Sequence, residues 1–561
     1  MKTPIELHRN NRIVSGQYEQ RDGVRSNPVV TPNRPNGINP SSFVPNVFSV
    51  PRVPTLIAAA LVLFAWSSAC CAATVAECQE MLRIGSYEEC LKATAESIEV
   101  RLYGEDWPLM KAAAEFQLGK YREADSTLDA GIERYSWSVR LRVQSCEINR
   151  ILGDREKSQR LLNEINQLVA GAPWRYTDAD DLVALGKAAI LLGADPKDVL
   201  EGFFERAMKN YKSRSDGFIA AARLAIDKGD FALAAEIIRP AAGSFPDDPD
   251  VQFLLFEATA SADAQESGAA LQKTLEINPK YSPALLKAAI RQIDAEDYPG
   301  AVETLNEILK YNPAHPEAHA MQAVIHHLQN RTEDEKASRQ QALQFSDQYP
   351  VVDHIIGTQL SRKYRFLEGS RYQQAALKID PDFIPAKVQL AQDLLRLGQD
   401  QSGWELADQA QKADRYDTAL FNLMQLKGTL DDFETLQTDQ LIVRMSKPEA
   451  RVYGKQVLTL LENAFKDVTE RYGYTPSAPV IVEIFDRKED FAVRTFGIPD
   501  VAGFLGVCFG NVITANSPLS QRGSPNNLES VLWHEFCHVI TLQMTGNRIP
   551  RWLSEGISVY E

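Results

Sequence analysis

The sequence predicts a mainly α chain: a solenoid of helical repeats over residues 75–430, then a small α+β unit over 450–561. Three observations carry this. Asn278-Pro279 and Asn312-Pro313 mark unit ends 34 residues apart, and Asp380-Pro381 follows after 68, twice that spacing. Apolar residues between such marks recur at helical spacing, broken by Gly-Lys and Gly-Asp turns such as Gly119-Lys120 and Gly229-Asp230. Past residue 475 the pattern changes to a β-branched run, Val480-Ile481-Val482-Glu483-Ile484-Phe485, and then to a Gly-punctuated stretch.

The first 55 residues hold Pro28, Pro32, Pro35, Pro40, Pro45, Pro51 and Pro54 and no apolar period, which predicts a disordered extension. Residues 56–73 read as a secretory signal: an eleven-residue apolar run, Leu56 to Trp66, after Arg52 and before Ala72-Ala73. That run is short for a spanning helix. Its position places the expected true start near residue 50. The expected location is the periplasm, envelope or exterior of a bacterium, with membrane contact only through this segment. Export permits disulfides, so Cys78 and Cys90, flanking a short helix-turn-helix pattern, either bridge that hairpin or stay free. A formal charge of −15 argues against nucleic-acid binding, which needs a basic face.

The 34-residue helix-turn-helix period resembles the tetratricopeptide repeat. Small residues fall where such helices approach closely, as at Ala288, Ala301, Ala320, Ala337, Ala391 and Ala407. Each unit cannot bury its apolar face alone, so the units stack and leave a concave surface. That groove is expected to hold a peptide or protein partner, or else to serve as a spacer. His315, His319, His326 and His327 cluster without a third ligand at fixed spacing and read as surface or groove residues.

In the C-terminal unit, Glu449 to Tyr472 reads as an amphipathic helix, Pro479 to Phe485 as a strand, and Gly503 to Ala515 as a strand or hairpin. The chemistry lies beyond. Trp533-His534-Glu535-Phe536-Cys537-His538 carries H-E-x-x-H on a helix predicted from Leu528, Val531, Leu532, Val539 and Leu542. It is capped by Ser524-Pro525-Asn526-Asn527 and stopped near Gly546. Residues four apart share a helix face, so His534 and His538 can meet one ion with Glu535 beside them as base. Glu555, on a second helix, completes a two-His, one-Glu set that leaves a fourth position to water, the pattern of a catalytic zinc site. Cys537 points off that face and reads as a small buried residue.

These residues, with Pro550-x-Trp552-Leu553-x-Glu555-Gly556-x-x-x-Tyr560, resemble the thermolysin-like zinc peptidases (gluzincins). The nearest likeness is to peptidase MA-like domains attached to helical repeats, over about residues 450–561. The resemblance implies a zincin-like fold, Zn2+ held by His534, His538 and Glu555, and Glu535 as catalytic base. It also implies an edge strand pairing with the substrate backbone, either Phe504–Phe509 or Asn511–Asn516. The family's oxyanion donor lies downstream of the third ligand, where Tyr560 is the candidate, with core packing as its other role. The acid that orients a zinc histidine in this family falls at Val559 here, with Glu561 as its substitute. The chain reaches only Glu561, and the expectation is a domain cut short. The function expected is zinc-dependent hydrolysis of peptide bonds in a protein or peptide substrate. The alternative is a non-catalytic envelope scaffold with a vestigial peptidase domain.

Overall fold

A computed structural model describes residues 73–476, 479–499, 503–521 and 527–561. The expected disordered extension, the signal run up to residue 72 and the caps Ser524, Pro525 and Asn526 lie outside these residues.

Antiparallel helix pairs run from Val75–Arg83 to Thr418–Leu430. Asp side chains start many of them: Asp154, Asp230, Asp297 and Asp417 each accept a backbone N–H from the first turn. The repeats coil far enough for successive turns of the superhelix to touch. Asn278 Nδ2 donates to Tyr87 Oη at 3.2 Å, and Asn312 Nδ2 donates to Tyr121 Oη at 3.1 Å, each across 191 residues. The same register brings Asn312 over Gly119, where a Cβ would stand 2.3 Å from its Oδ1, so only glycine fits. The inner face encloses a cavity of about 930 Å³ whose walls include Tyr87, Tyr121, Arg223, Asp250 and Glu317.

The histidine cluster is absorbed by this packing. His315 caps a helix, His319 bonds the Pro313 carbonyl at 2.9 Å, and His327 sits between Glu335 and Glu368 at 2.9 and 3.0 Å. Cys78 and Cys90 are buried free thiols, so the candidate bridge is not formed. They share a small apolar cluster with Trp107 and Met110, and Cys90 Sγ donates to the Cys78 carbonyl at 3.5 Å.

The C-terminal unit begins earlier than the 450 expected, because two strands precede it. Strand β1 (Phe433–Gln437) pairs antiparallel with β2 (Leu441–Ser446), and β2 runs parallel to β3 (Val480–Phe485). The predicted hairpin is β4 (Gly506–Cys508) and β5 (Val512–Asn516), giving the order β1-β2-β3-β5-β4. The longer helices among the described residues of this unit are α1 (Lys455–Tyr472), α2 (Lys488–Phe496), α3 (Leu528–Met544) and α4 (Arg551–Tyr560).

The sheet is buried on both faces, so β3 is apolar almost throughout. Val480, Val482 and Ile484 pack with Leu461, Leu532 and Phe536 of α1 and α3. On the other face, Ile481 and Phe485 pack against Phe366, Leu395 and Leu423 of the last repeats. Solenoid and sheet thus share one core. Glu483, the polar exception in β3, meets Arg494 Nε at 2.6 Å and Arg444 Nη1 at 3.1 Å, with Glu483 and Arg494 each 1% exposed. Arg444 in turn reaches Asp400 of the solenoid at 2.6 Å. Burial of that carboxylate is tolerated because two guanidiniums meet it.

Candidate metal centre

The two-sided character of α3 builds the site. Leu532, Phe536, Cys537, Val539 and Ile540 face the sheet core, which turns His534 and His538 the other way. Asn527 caps the helix by accepting the Ser530 N–H. Helix α4 crosses the open face and presents Glu555.

Three donor atoms converge. His534 Nε2 and His538 Nε2 are 3.1 Å apart, and Glu555 Oε2 lies 3.3 Å from the first and 3.5 Å from the second. Ligands 2.0–2.1 Å from a tetrahedral ion stand about 3.4 Å from one another. The three donors fit zinc, in element type and in spacing. Among the described residues this is the one group of three or more His, Cys, Asp or Glu side chains close enough to hold a metal.

Support around His538 differs from expectation. Its Nδ1 bonds Ser554 Oγ at 2.8 Å and Ser558 Oγ at 3.2 Å, both on α4. These hydroxyls take the orienting role expected of an acid and leave the Nε2 lone pair toward the other donors. Val559 is exposed, and Glu561 pairs with Arg471 and Tyr472 instead. Burial lowers His538 to about 4, so its ring is neutral and able to ligate at pH 7.

Glu535 is buried beside the triad. Burial, and then the Glu555 carboxylate, push it up to about 8, while a hydrogen bond from the Cys508 backbone opposes the shift. A cation among the donors would likewise oppose it. Glu535 lies against β4, where Gly506 makes room: a Cβ there would meet Glu535 Cγ at 2.8 Å and Val531 Cγ1 at 3.0 Å. In Gly506→Ala the carboxylate must move, and a misplaced catalytic group costs about 10²-fold. Were the cleft to cleave peptides as the resemblance implies, turnover in this variant would fall by at least tenfold with metal content unchanged, measured by turnover and metal analysis on one preparation.

A cleft of about 1050 Å³ opens over these residues. One wall carries His534, Glu535, His538 and Glu555 with the β4 residues Gly506 and Val507; the other carries Glu296, Arg362, Lys363 and Tyr364 of the solenoid. Among the described residues, only the first of the two candidate substrate strands has a free edge. β5 is paired on both sides, by β3 and β4, so Asn511–Asn516 cannot accept another strand, whereas β4 is the sheet's outer strand. Tyr560 is also corrected. It is 86% exposed and does not line the cleft, because its position on α4 turns it away from Glu555.

Residues 258–325 match the family model described as tetratricopeptide repeat. The chain therefore carries tetratricopeptide repeats in a mainly helical solenoid, an architecture of protein–protein contact and scaffolding. Among solved structures, it is similar to a chain of the APC/C hetero-tetramer Cut9–Hcn1 (15% identity, 56% of this chain and 61% of that one, TM-score 0.39). It is also similar to yeast Tom70 (14% identity, 62% and 88%, TM-score 0.32) and to MamA (16%, 28% and 93%, TM-score 0.24). No curated protein matches the chain significantly.

Proposed function

We propose that the chain is a zinc-dependent peptidase of the peptidase MA-like, gluzincin kind. Its tetratricopeptide repeats bind the protein substrate or a protein partner and bring it to the cleft. The observation that carries this reading is the triangle of His534, His538 and Glu555 donors with a buried acid, Glu535, on the adjoining helix turn.

Zinc held there supplies a Lewis acid and lowers the pKa of a water toward about 7. The chain's own residues do the rest. Glu535 takes the attacking water's proton on its carboxylate and returns it to the leaving amine. The Ser554 and Ser558 hydroxyls keep His538 in one tautomer and one orientation. The outer edge of β4 offers backbone N–H and C=O groups to an extended substrate, which favours main-chain recognition over side-chain selectivity. The apolar run at 56–66 supports an exported, cell-envelope setting. Among the described residues no helix is long and apolar enough to cross a membrane.

Tyr560, outside the cleft, favours a second reading, a scaffold whose peptidase unit binds metal without turnover. The two separate in one assay on the full chain with a quenched peptide library. The peptidase reading expects cleavage that a chelator stops and added zinc restores. Zinc bound at about one per chain without cleavage establishes the scaffold.

A further inference from the structure

No oxyanion donor has yet been assigned among the described residues of this cleft, and the solenoid offers one. Residues 296, 330, 364 and 398 hold the same turn position in successive repeats, 34 apart, and all have left-handed backbone, with φ of 62°, 59°, 62° and 75°. Repeats elsewhere put glycine in such turns, as at Gly85, Gly119 and Gly153. Here three of the four positions carry a side chain, Glu296, Asn330 and Tyr364, while Gly398 keeps the glycine. A side chain with a Cβ is disfavoured at positive φ, and a bulky ring most of all.

Each of the four meets the C-terminal unit. Glu296 and Tyr364 line the cleft. Asn330 accepts from Arg548 at 3.0 Å. At Gly398 a Cβ would stand 3.0 Å from Ile481 Cδ1. Disfavoured backbone concentrated at one face is a signature of function.

Tyr364 is also held firmly. Its carbonyl accepts from Asn547 Nδ2 at 2.6 Å, and its ring packs 5.4 Å from Phe366 and 6.2 Å from Phe509. Burial chiefly raises its phenol, which keeps the proton in place at neutral pH. Among the described residues nothing hydrogen-bonds that hydroxyl, although its ring is packed. A residue present only to seal the contact between solenoid and sheet has no use for the hydroxyl; phenylalanine would serve.

Resting on the peptidase reading, we infer that the Tyr364 hydroxyl, supplied by a repeat turn, donates a hydrogen bond to the carbonyl oxygen of the scissile bond as that oxygen becomes tetrahedral. The repeat array then forms part of the active site as well as delivering to it. The donor lies upstream of the three converging side chains in sequence, within the repeat array.

The test compares zinc-loaded full-length wild type, Tyr364→Phe and Tyr364→Gly. In Tyr364→Phe, kcat should fall about 10²–10³-fold with KM within about twofold, the loss seen on removing one oxyanion donor. Zinc per chain and melting temperature should not move. By calorimetry, a phosphinic peptide that mimics the tetrahedral carbon should bind at least tenfold more weakly, while a product peptide binds as before. Tyr364→Gly removes the packed ring as well as the hydroxyl, so it should melt lower than Tyr364→Phe and turn over no faster. Wild-type kcat and phosphinate affinity in Tyr364→Phe overturn this inference and leave the peptidase reading standing. A wild type with neither zinc nor cleavage ends both.

Discussion

Glu535→Gln should lose peptide cleavage by about 10²–10⁴-fold and keep its zinc. The amide has the shape of the acid but cannot accept and return a proton. Glu535 is not one of the three converging donors, so the ion stays. The buried position makes the substitution mild for the fold: burial favours the neutral form of the carboxyl, and a neutral amide of the same shape suits the same surroundings. Turnover lost with zinc near one per chain and an unchanged melting temperature is the expected result. A variant that still cleaves within tenfold of wild type removes Glu535 from the mechanism.

His534→Ala should bring zinc from about one per chain to near zero. Two protein donors remain, fewer than the three a catalytic zinc site uses. His534 suits this test better than His538. Its side chain is 27% exposed and sits at the cleft, whereas His538 is tied to Ser554 and Ser558 and its loss would leave buried hydroxyls without their partner. The chelated variant should therefore melt close to chelated wild type. Added zinc should raise the melting point of wild type only, since an ion present at about 1,000 times its Kd stabilises by about 4 kcal/mol. Equal zinc binding by wild type and variant would place any ion elsewhere.

Much of this was legible in residue order. The 34-residue period found the solenoid because each repeat obeys the same local rules, and residues 258–325 carry the matching family model. His534, Glu535 and His538 were legible because helical geometry fixes four-residue neighbours on one face. Glu555 came from its resemblance to a known pattern, and the fold places its carboxylate against both imidazoles.

The rest depended on contacts that no local pattern encodes. Strand β1, Phe433–Gln437, is short, largely polar and half-exposed at the sheet's other edge, so it shows no alternation. The pairs Tyr87–Asn278 and Tyr121–Asn312 span 191 residues and follow from the pitch of the whole coil. Ser554 and Ser558 stand four apart on the Glu555 helix, but a hydroxyl pair is a less distinctive signal than the acid the resemblance implies. Tyr364 carries no local signal that sets it apart, since Glu296 and Asn330 fill the same turn position without glycine; its place in the cleft follows from the fold.

X-ray absorption at the zinc edge on the purified full-length protein tests the central claim most directly. The account predicts one zinc per chain with about two imidazole nitrogens and one or two oxygens at about 2.0–2.2 Å, a shell that collapses in His534→Ala. A chain that binds no zinc, or an ion surrounded by thiolate sulfur or by water alone, would contradict it.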